Sequence, residues 1–480
     1  MKKYALLSVY NKDGIVAFAK ELSVLGYEII TTGGTAKILE QNNISFTPIQ
    51  EITGNPESFD GRMKTISFQI ESGILYDRTN KKHVEEAKVL HIKPIDLVAC
   101  NLYPFEHTIS KTGATLDEAV ENIDVGGPTM VRAAAKNFKN VLVLVDPKDY
   151  ATALEELKKG TVSFKLRKKL AGKAFSHLSF YDSQIAAYLR EEQFPQELTL
   201  AGRKLVDLRY GENPHQQGTV YTRPGFHGSL EHLERKWGRE LSLINITDIN
   251  AGLESVRLFE EPAAAVIKHN SPSGVALGEN PQEALKRAIE ADPESAFGGI
   301  IVLNTNMNLD AAKIIGEFKD ERRGNIDIVG IPSIDSDALE YLQKVRKTMG
   351  IYTFGKIPST LDPWNIKWID GGFILQTGDT DVEKGIDMWK VVTEKTPTPG
   401  QMKQMEVAWK FVSRIKSNSV IVVDPTLPMT RGIGSGQTSR VRSTKIALEQ
   451  AGRYCKGGIM ASDSFFPFPD SVEAAHEAGI

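Results

Sequence analysis

Short, fully apolar runs recur along the first third of the chain, separated by longer stretches with helical spacing. Ala5-Leu6-Leu7-Ser8-Val9, Glu28-Ile29-Ile30, Leu97-Val98-Ala99-Cys100 and Val141-Leu142-Val143-Leu144-Val145 read as buried strands. Each is too short for a core helix. Residues 14–25 and 35–41 read as helices between them. Strands joined through helices pair in parallel, and a parallel sheet is covered by helices on both faces. An α/β fold is therefore predicted. Open sheets of this kind bind ligands beyond the carboxyl ends of their strands.

The chain has 480 residues, more than one core of about 250–300 residues can serve, so two or three domains are predicted. A helix over 173–189 places Phe175, Leu178, Ile185 and Leu189 on one side. The polar segment 190–203, with Pro195 and Gly202, reads as a linker. Domains of 1–196 and 197–480 follow, the second dividing into two subdomains near its Pro- and Gly-rich stretch 357–378.

With 58 Lys+Arg against 61 Asp+Glu the net charge is −3, which excludes a polybasic nucleic-acid or membrane coat. The two cysteines, Cys100 and Cys455, exclude a disulfide framework or a Cys-rich zinc site and fit a reducing compartment. No run approaches the roughly 18 apolar residues of a membrane span. The leading apolar run breaks too soon for a signal peptide. A soluble cytoplasmic protein without nucleic-acid or membrane partners is expected.

Several segments could carry chemistry. Thr31-Thr32-Gly33-Gly34-Thr35 follows a strand and opens a helix, as Asp124-Val125-Gly126-Gly127-Pro128-Thr129 does before a second one. Free amides at a helix start, with glycines permitting close approach, favour a phosphate. Either segment alone would equally suit a tight turn; two together favour an anionic ligand. Arg132 and Lys136 share a face of the second helix, and Asp60-Gly61-Arg62-Met63-Lys64-Thr65 adds two cations in a turn. Asn101-Leu102-Tyr103-Pro104 sits at the carboxyl end of a strand.

In the second part, Ala263-Ala264-Ala265-Val266-Ile267 runs straight into Lys268-His269 and the turn Asn270-Ser271-Pro272-Ser273-Gly274. A solvated strand end would explain the pair, but a strand delivering Lys and His together is weighted toward a general acid/base role. Leu208-Arg209-Tyr210-Gly211-Glu212-Asn213-Pro214-His215-Gln216, Ser295-Ala296-Phe297-Gly298-Gly299 and Gly432-Ile433-Gly434-Ser435-Gly436-Gln437 add polar or glycine-dense loops. Phe465-Phe466-Pro467-Phe468-Pro469-Asp470 could wall a planar ligand or simply cap a core.

Taken in order and spacing, SVYNKDG, TTGGTAK, DGRMKT, CNLYPF, ENIDVGGPTMVRAAAKN, LRYGENPHQ, IKHNSPSG, SAFGGII, IKSNS, GIGSGQTSR and SDSFFPFPDS resemble the AICAR transformylase/IMP cyclohydrolase family along essentially the whole chain. The resemblance implies an N-terminal methylglyoxal-synthase-like domain and a C-terminal transformylase of two cytidine-deaminase-like subdomains, in an intertwined homodimer. It implies formyl transfer from 10-formyltetrahydrofolate to AICAR, then dehydration of FAICAR to IMP. It also implies a structural monovalent cation and no catalytic zinc, and no Pro-Cys-x-x-Cys occurs here.

By the same resemblance, His269 is the base of formyl transfer, Lys268 its cationic partner and Asn418 a hydrogen-bonding partner of the formyl group. Arg209, Tyr210, Phe297, Gly298, Asp327 and Arg440 match AICAR-binding positions; Phe465, Phe468 and Asp470 match folate-binding ones. For ring closure, Lys64 polarises the formyl oxygen, Asp124 and Lys136 handle protons, and Tyr103 and Asn101 orient the substrate. Ser8, Lys12, Thr32, Gly33, Thr35, Arg62 and Gly127 hold its phosphate.

The chain departs from the family pattern at Ile66-Ser67-Phe68, where Leu-His-Pro is usual, and at Phe138, where His or a bulky polar residue is usual. Family members continue past the aromatic cluster through a further strand–helix–strand unit, so a shortened C-terminus is expected, with a cyclohydrolase-only protein as one alternative. A purine-nucleotide-binding regulatory module is the other.

Overall fold

The computed structural model describes residues 2–59, 61–111, 113–318, 325–358 and 361–480. Asp60 of the sequence motif lies outside the described residues. The chain forms two compact units, 1–202 with 223–225, and 203–222 with 226–480.

The first unit is a five-stranded sheet of β1 (Lys3–Val9), β2 (Tyr27–Thr31), β3 (Thr47–Pro48), β4 (Ile95–Asn101) and β5 (Leu142–Leu144), ordered β3-β2-β1-β4-β5. All four pairings are parallel. Alternation along the strands divides the core. Leu6, Ile30, Val98, Cys100 and Val143 face the helices Gly126–Lys136 and Phe164–Leu189. Ala5, Leu7, Ile29, Leu97, Ala99 and Leu144 face the opposite layer, with Ile15, Phe18 and Leu22 of the helix Ile15–Val24. The strand order reverses between β1 and β4, which makes their carboxyl ends the crevice of the sheet.

The helix predicted over 173–189 begins nine residues earlier, capped by the Ser163 hydroxyl, which accepts the Leu166 N–H. Its buried side is Leu170, Ala174, Leu178 and Tyr181, while Phe175 and Leu189 are exposed. Leu178 and Ile185 of the predicted side do pack on the core; Phe175 is turned about 100° from its buried neighbour Ala174, and Leu189 is the last residue of the helix.

The second unit holds a hairpin of β6 (Arg203–Asp207) and β7 (Thr219–Thr222) and a six-stranded mixed sheet. The latter combines β8 (Glu234–Trp237), β9 (Ala263–Lys268), β10 (Ser271–Leu277), β11 (Ile300–Leu303), β12 (Ile328–Ile331) and β13 (Gly350–Thr353), in the order β10-β9-β11-β12-β13-β8. The stretch 357–378, read as a divider, contains a hairpin of β14 (Trp364–Ile369) and β15 (Gly372–Thr377). It turns at Asp370-Gly371, where Gly371 has φ +75°, and an Asp-Gly pair favours such two-residue turns.

A final antiparallel sheet comprises β16 (Val420–Val423), β17 (Thr430–Gly434) and β18 (Ile459–Ser462). It joins the larger one through the Ala276–Met429 bridge and through Thr430 Oγ1, which accepts the Val275 N–H at 3.1 Å. Among the described residues no helix is long and apolar enough to cross a membrane.

Candidate active sites

In the first unit a cavity of about 570 Å³ opens beyond the strand ends. Ser8, Thr32, Gly33, Thr35, Arg62, Lys64, Asp124 and Gly127 all line it. Two helices, Gly33–Gln41 and Gly126–Lys136, begin at its wall; no side chain caps the first, while Asp124 takes the Gly127 N–H of the second and leaves the Gly126 N–H. Their free N–H groups and positive dipole ends suit an anion.

The glycines let the loops converge. A Cβ on Gly33, whose φ is +53°, would lie 2.8 Å from Lys64 Nζ. A Cβ on Gly127 would crowd Asp124 Oδ2 and Leu102. Lys64 is also held by Glu57 at 3.0 Å, and Arg62 pairs with Glu121. Asp124 accepts the Gly127 N–H at 2.9 Å, and its own N–H donates to the Tyr181 hydroxyl at 2.7 Å. Burial pushes the Asp124 carboxyl above its ordinary range, with the Gly127 N–H opposing. A carboxyl inclined to hold a proton, beside an ammonium and two helix starts, can exchange protons with an anionic ligand.

Four sequence candidates lie outside the lining. Lys12 gives its ammonium to the Val9 carbonyl, and burial lowers its pKa. Asn101 ties the ends of β1 and β4, its Oδ1 accepting the Tyr10 and Asn11 N–H groups at 2.6 and 2.8 Å. Tyr103 stands edge-on to Tyr10 at 4.6 Å. Lys136 is exposed at the far end of its helix, about 15 Å along the axis from the glycines at 1.5 Å per residue.

In the second unit, Lys268 closes β9 and donates to the Phe297 carbonyl at 2.9 Å. The neighbouring Gly298, at φ +71°, donates its N–H to the Asn325 carbonyl at 2.6 Å. Asn325 in turn donates to Asp327 at 2.9 Å, and Asp327 pairs with Arg239 at 3.0 Å. Four candidates, Lys268, Phe297, Gly298 and Asp327, therefore lie on one chain of contacts. Arg239 also lines a cavity of about 810 Å³ with Arg209, Arg235, Lys236 and Lys347. The Arg209 guanidinium lies 4.7 Å from the Tyr210 ring centroid and bonds its hydroxyl. So cationic a wall favours an anionic group.

A second knot surrounds Asn418. Its side chain donates to the Gln437 carbonyl at 2.9 Å and accepts from Arg440 at 2.8 Å. Arg440 pairs with Asp463 and donates to Ser462 Oγ at 2.9 Å. The hydroxyls of Ser271 and Ser435, 3.3 Å apart, connect the turn after His269 to the glycine loop of this knot. Beyond β18, Phe466 packs on the core while Phe465 and Phe468 are 78% and 69% exposed. Asp470, also exposed, opens the helix Asp470–Ala478.

A family model described as "AICARFT/IMPCHase bienzyme" matches residues 134–450, and one for an MGS-like domain matches 14–129. The "Bifunctional purine biosynthesis protein PurH" of Lysinibacillus sphaericus (strain C3-41) is 46% identical over 100% of this chain and 93% of its own length. The proteins of that name from Thermoanaerobacter sp. (strain X514) and Persephonella marina are 44% and 42% identical over the same shares. The chain belongs to the AICARFT/IMPCHase bienzyme family. It is a bifunctional enzyme, an AICAR formyltransferase and IMP cyclohydrolase of purine biosynthesis.

Its departures from the family pattern lie off the first cavity. Ser67 caps the helix Phe68–Leu75 by accepting the Ile70 N–H, and Phe138 packs on Phe164 at 5.5 Å. Sequence reasoning missed Glu57 and Glu121, which pair with Lys64 and Arg62, and Asp463, which pairs with Arg440. It also missed the basic cluster Arg235-Lys236 and Arg239, whose cation density was the available signal.

Proposed function

We propose that the second unit performs formyl transfer and the first performs ring closure, with the residues assigned by resemblance in those roles. In formyl transfer the 5-amino nitrogen of AICAR attacks the formyl carbon of 10-formyltetrahydrofolate. A C–N bond forms, the bond to folate N10 breaks, and the proton lost from the amine ends on N10. His269 takes that proton, while Lys268 and Asn418 stabilise the developing oxyanion. The cationic cavity at Arg209 offers the substrate phosphate a partner, and Tyr210, Phe297, Gly298, Asp327 and Arg440 orient AICAR. The exposed faces of Phe465 and Phe468 suit a pterin ring, with Asp470 beside them.

In ring closure the carboxamide nitrogen of FAICAR attacks its own formyl carbon, and the formyl oxygen leaves as water. Nucleophile and electrophile share one molecule, so orientation supplies much of the rate, up to about 7–11 kcal/mol. The helix starts, that of Gly33–Gln41 foremost, hold the phosphate, Lys64 stabilises the charge on the oxygen, and Asp124 exchanges the protons. The observation that carries this reading is the convergence of Lys64, Asp124 and both helix starts on one cavity.

Cytoplasmic location, a homodimer and a structural monovalent cation complete the reading. The hairpin β14–β15 supports the dimer: Trp368 and Phe373 are exposed on one side of it and Ile369 and Ile374 on the other, apolar surface that a second copy would cover. The test is a pair of variants in two assays. His269→Ala should abolish tetrahydrofolate release from AICAR and 10-formyltetrahydrofolate while leaving conversion of supplied FAICAR intact. Lys64→Ala should do the reverse. Loss of both activities in either variant, or of neither, would refute the assignment of one reaction to each unit.

A further inference from the structure

The connection between β9 and β10 is a two-residue turn closed by the Lys268–Ser271 pair. Its central residues, His269 and Asn270, both have left-handed backbones, with φ +55° and +61°. Two consecutive positive φ values define the turn that Asn-Gly adopts most readily; a histidine in the first place is held there by its surroundings.

Asp248 supplies the hold. It sits in the interior of the helix Leu243–Val256, only 4% exposed, with Ile249, Leu253 and Ser255 among the residues buried beside it. Its Oδ1 accepts the Asn270 N–H at 2.5 Å. With its amide nitrogen turned toward the helix, Asn270 donates to Thr247 Oγ1 at 2.8 Å as well. Burial pushes the Asp248 carboxyl up; the Asn270 N–H, the His269 charge and the His269 N–H pull it down.

We propose that Asp248 is a positioning residue for formyl transfer, clamping the left-handed His269-Asn270 turn through the Asn270 main-chain N–H so that His269 and Lys268 stay aimed at the substrate. The inference rests on His269 acting in formyl transfer. Among the described residues Asp248 bonds no side chain outside this turn, and a left-handed turn without that partner would relax and carry the imidazole with it.

The experiment measures both activities in the full chain. Asp248→Ala is expected to lower kcat for formyl transfer by about tenfold or more, since a misplacement near 1 Å can cost up to 100-fold. The KM for AICAR should change far less, and closure of supplied FAICAR should stay within about twofold. Asn270→Gly added to Asp248→Ala should recover part of the loss, because glycine adopts positive φ without a clamp. Unchanged formyl transfer in Asp248→Ala, or no recovery on adding Asn270→Gly, would overturn the proposal. Should Asp248→Ala fail to fold, Asp248→Leu decides: it fills the same space without any acceptor, and formyl transfer equal to the parent's would overturn the clamp. His269→Ala, run alongside, separates the two ideas, since full activity there would sink the underlying reading instead.

Discussion

Gly33→Ala is the sharpest probe of the first cavity, because it reaches Lys64 without touching its charge. An alanine at φ +53° pays a left-handed penalty of about 1–2 kcal/mol. Its Cβ would fall 2.8 Å from Lys64 Nζ, nearer than such atoms approach, so the flexible ammonium must move off its place beside the helix start. Its ion pair with Glu57, at 3.0 Å, limits where it can go. A preorganised donor to a developing oxyanion is worth about 10²–10³ in rate, or about 2.7–4 kcal/mol. Lys64→Met should lose that whole factor, and Gly33→Ala a part of it, about tenfold, in the conversion of FAICAR to IMP. Formyl transfer from 10-formyltetrahydrofolate, measured on the same preparations, should be unaffected. The double variant should be no slower than Lys64→Met alone, because the glycine acts through the lysine it makes room for. Multiplying losses in the double variant would refute the reasoning and assign Gly33 an independent role.

Three further outcomes follow from the geometry. Arg440→Met leaves the half-buried Asp463 carboxylate without its cation but still accepting the Ser419 N–H at 2.9 Å; a loss of about 1–3 kcal/mol in urea unfolding is expected, and no loss would show that the pair is dispensable. Burial raises the Glu71 carboxyl from its ordinary 4.5 to about 7, so the folded state binds its proton more tightly and stability falls as pH rises through that window. Glu71→Gln should therefore raise Tm above pH 7 and leave it unchanged near pH 4, and equal shifts at both would contradict this. Trp368→Asp on the exposed hairpin should shift a dimer toward monomer in sedimentation, and an unaltered mass would remove the hairpin from the interface.

The parallel sheet was legible because Leu6, Ile30, Val98 and Val143 repeat the same apolar signature at the same point of each strand, and burial on both faces requires it. The glycine turns of the first cavity were legible for a related reason: Gly33 and Gly126-Gly127 each follow a strand or turn and open a helix. The partners of the charged residues were not. Glu57 and Glu121 meet Lys64 and Arg62 only through tertiary folding, and nothing in their own neighbourhoods distinguishes them from solvated acids. Of the side carrying Phe175, Leu178, Ile185 and Leu189, only Leu178 and Ile185 pack on the core, because the apolar spacing does not show how wide the buried stripe is or where it ends. Asp248 escaped notice because one acid within a helical pattern reads as its polar side, whereas the fold turns it inward.

Backbone conformation separates the clamped turn from other strained positions. Asn43 and His91 have φ +55°, yet each lies just past a helix, after Gly33–Gln41 and Lys81–Val89. There the Ile44 N–H bonds the Leu39 carbonyl and the Ile92 N–H bonds the Ala87 carbonyl, the pattern with which helices commonly end. Those two need no explanation beyond termination of a helix. His269 and Asn270 end a strand instead, where a glycine would serve the turn more cheaply. Glycine at 269 would remove the imidazole, so the side chain can be kept only if something outside the turn holds its backbone. Gly33 solves the opposite problem: its site needs the space that a side chain would fill, and there the glycine stands. One unit clears room for a lysine and the other braces a histidine, which is why a buried acid accompanies the second turn and not the first.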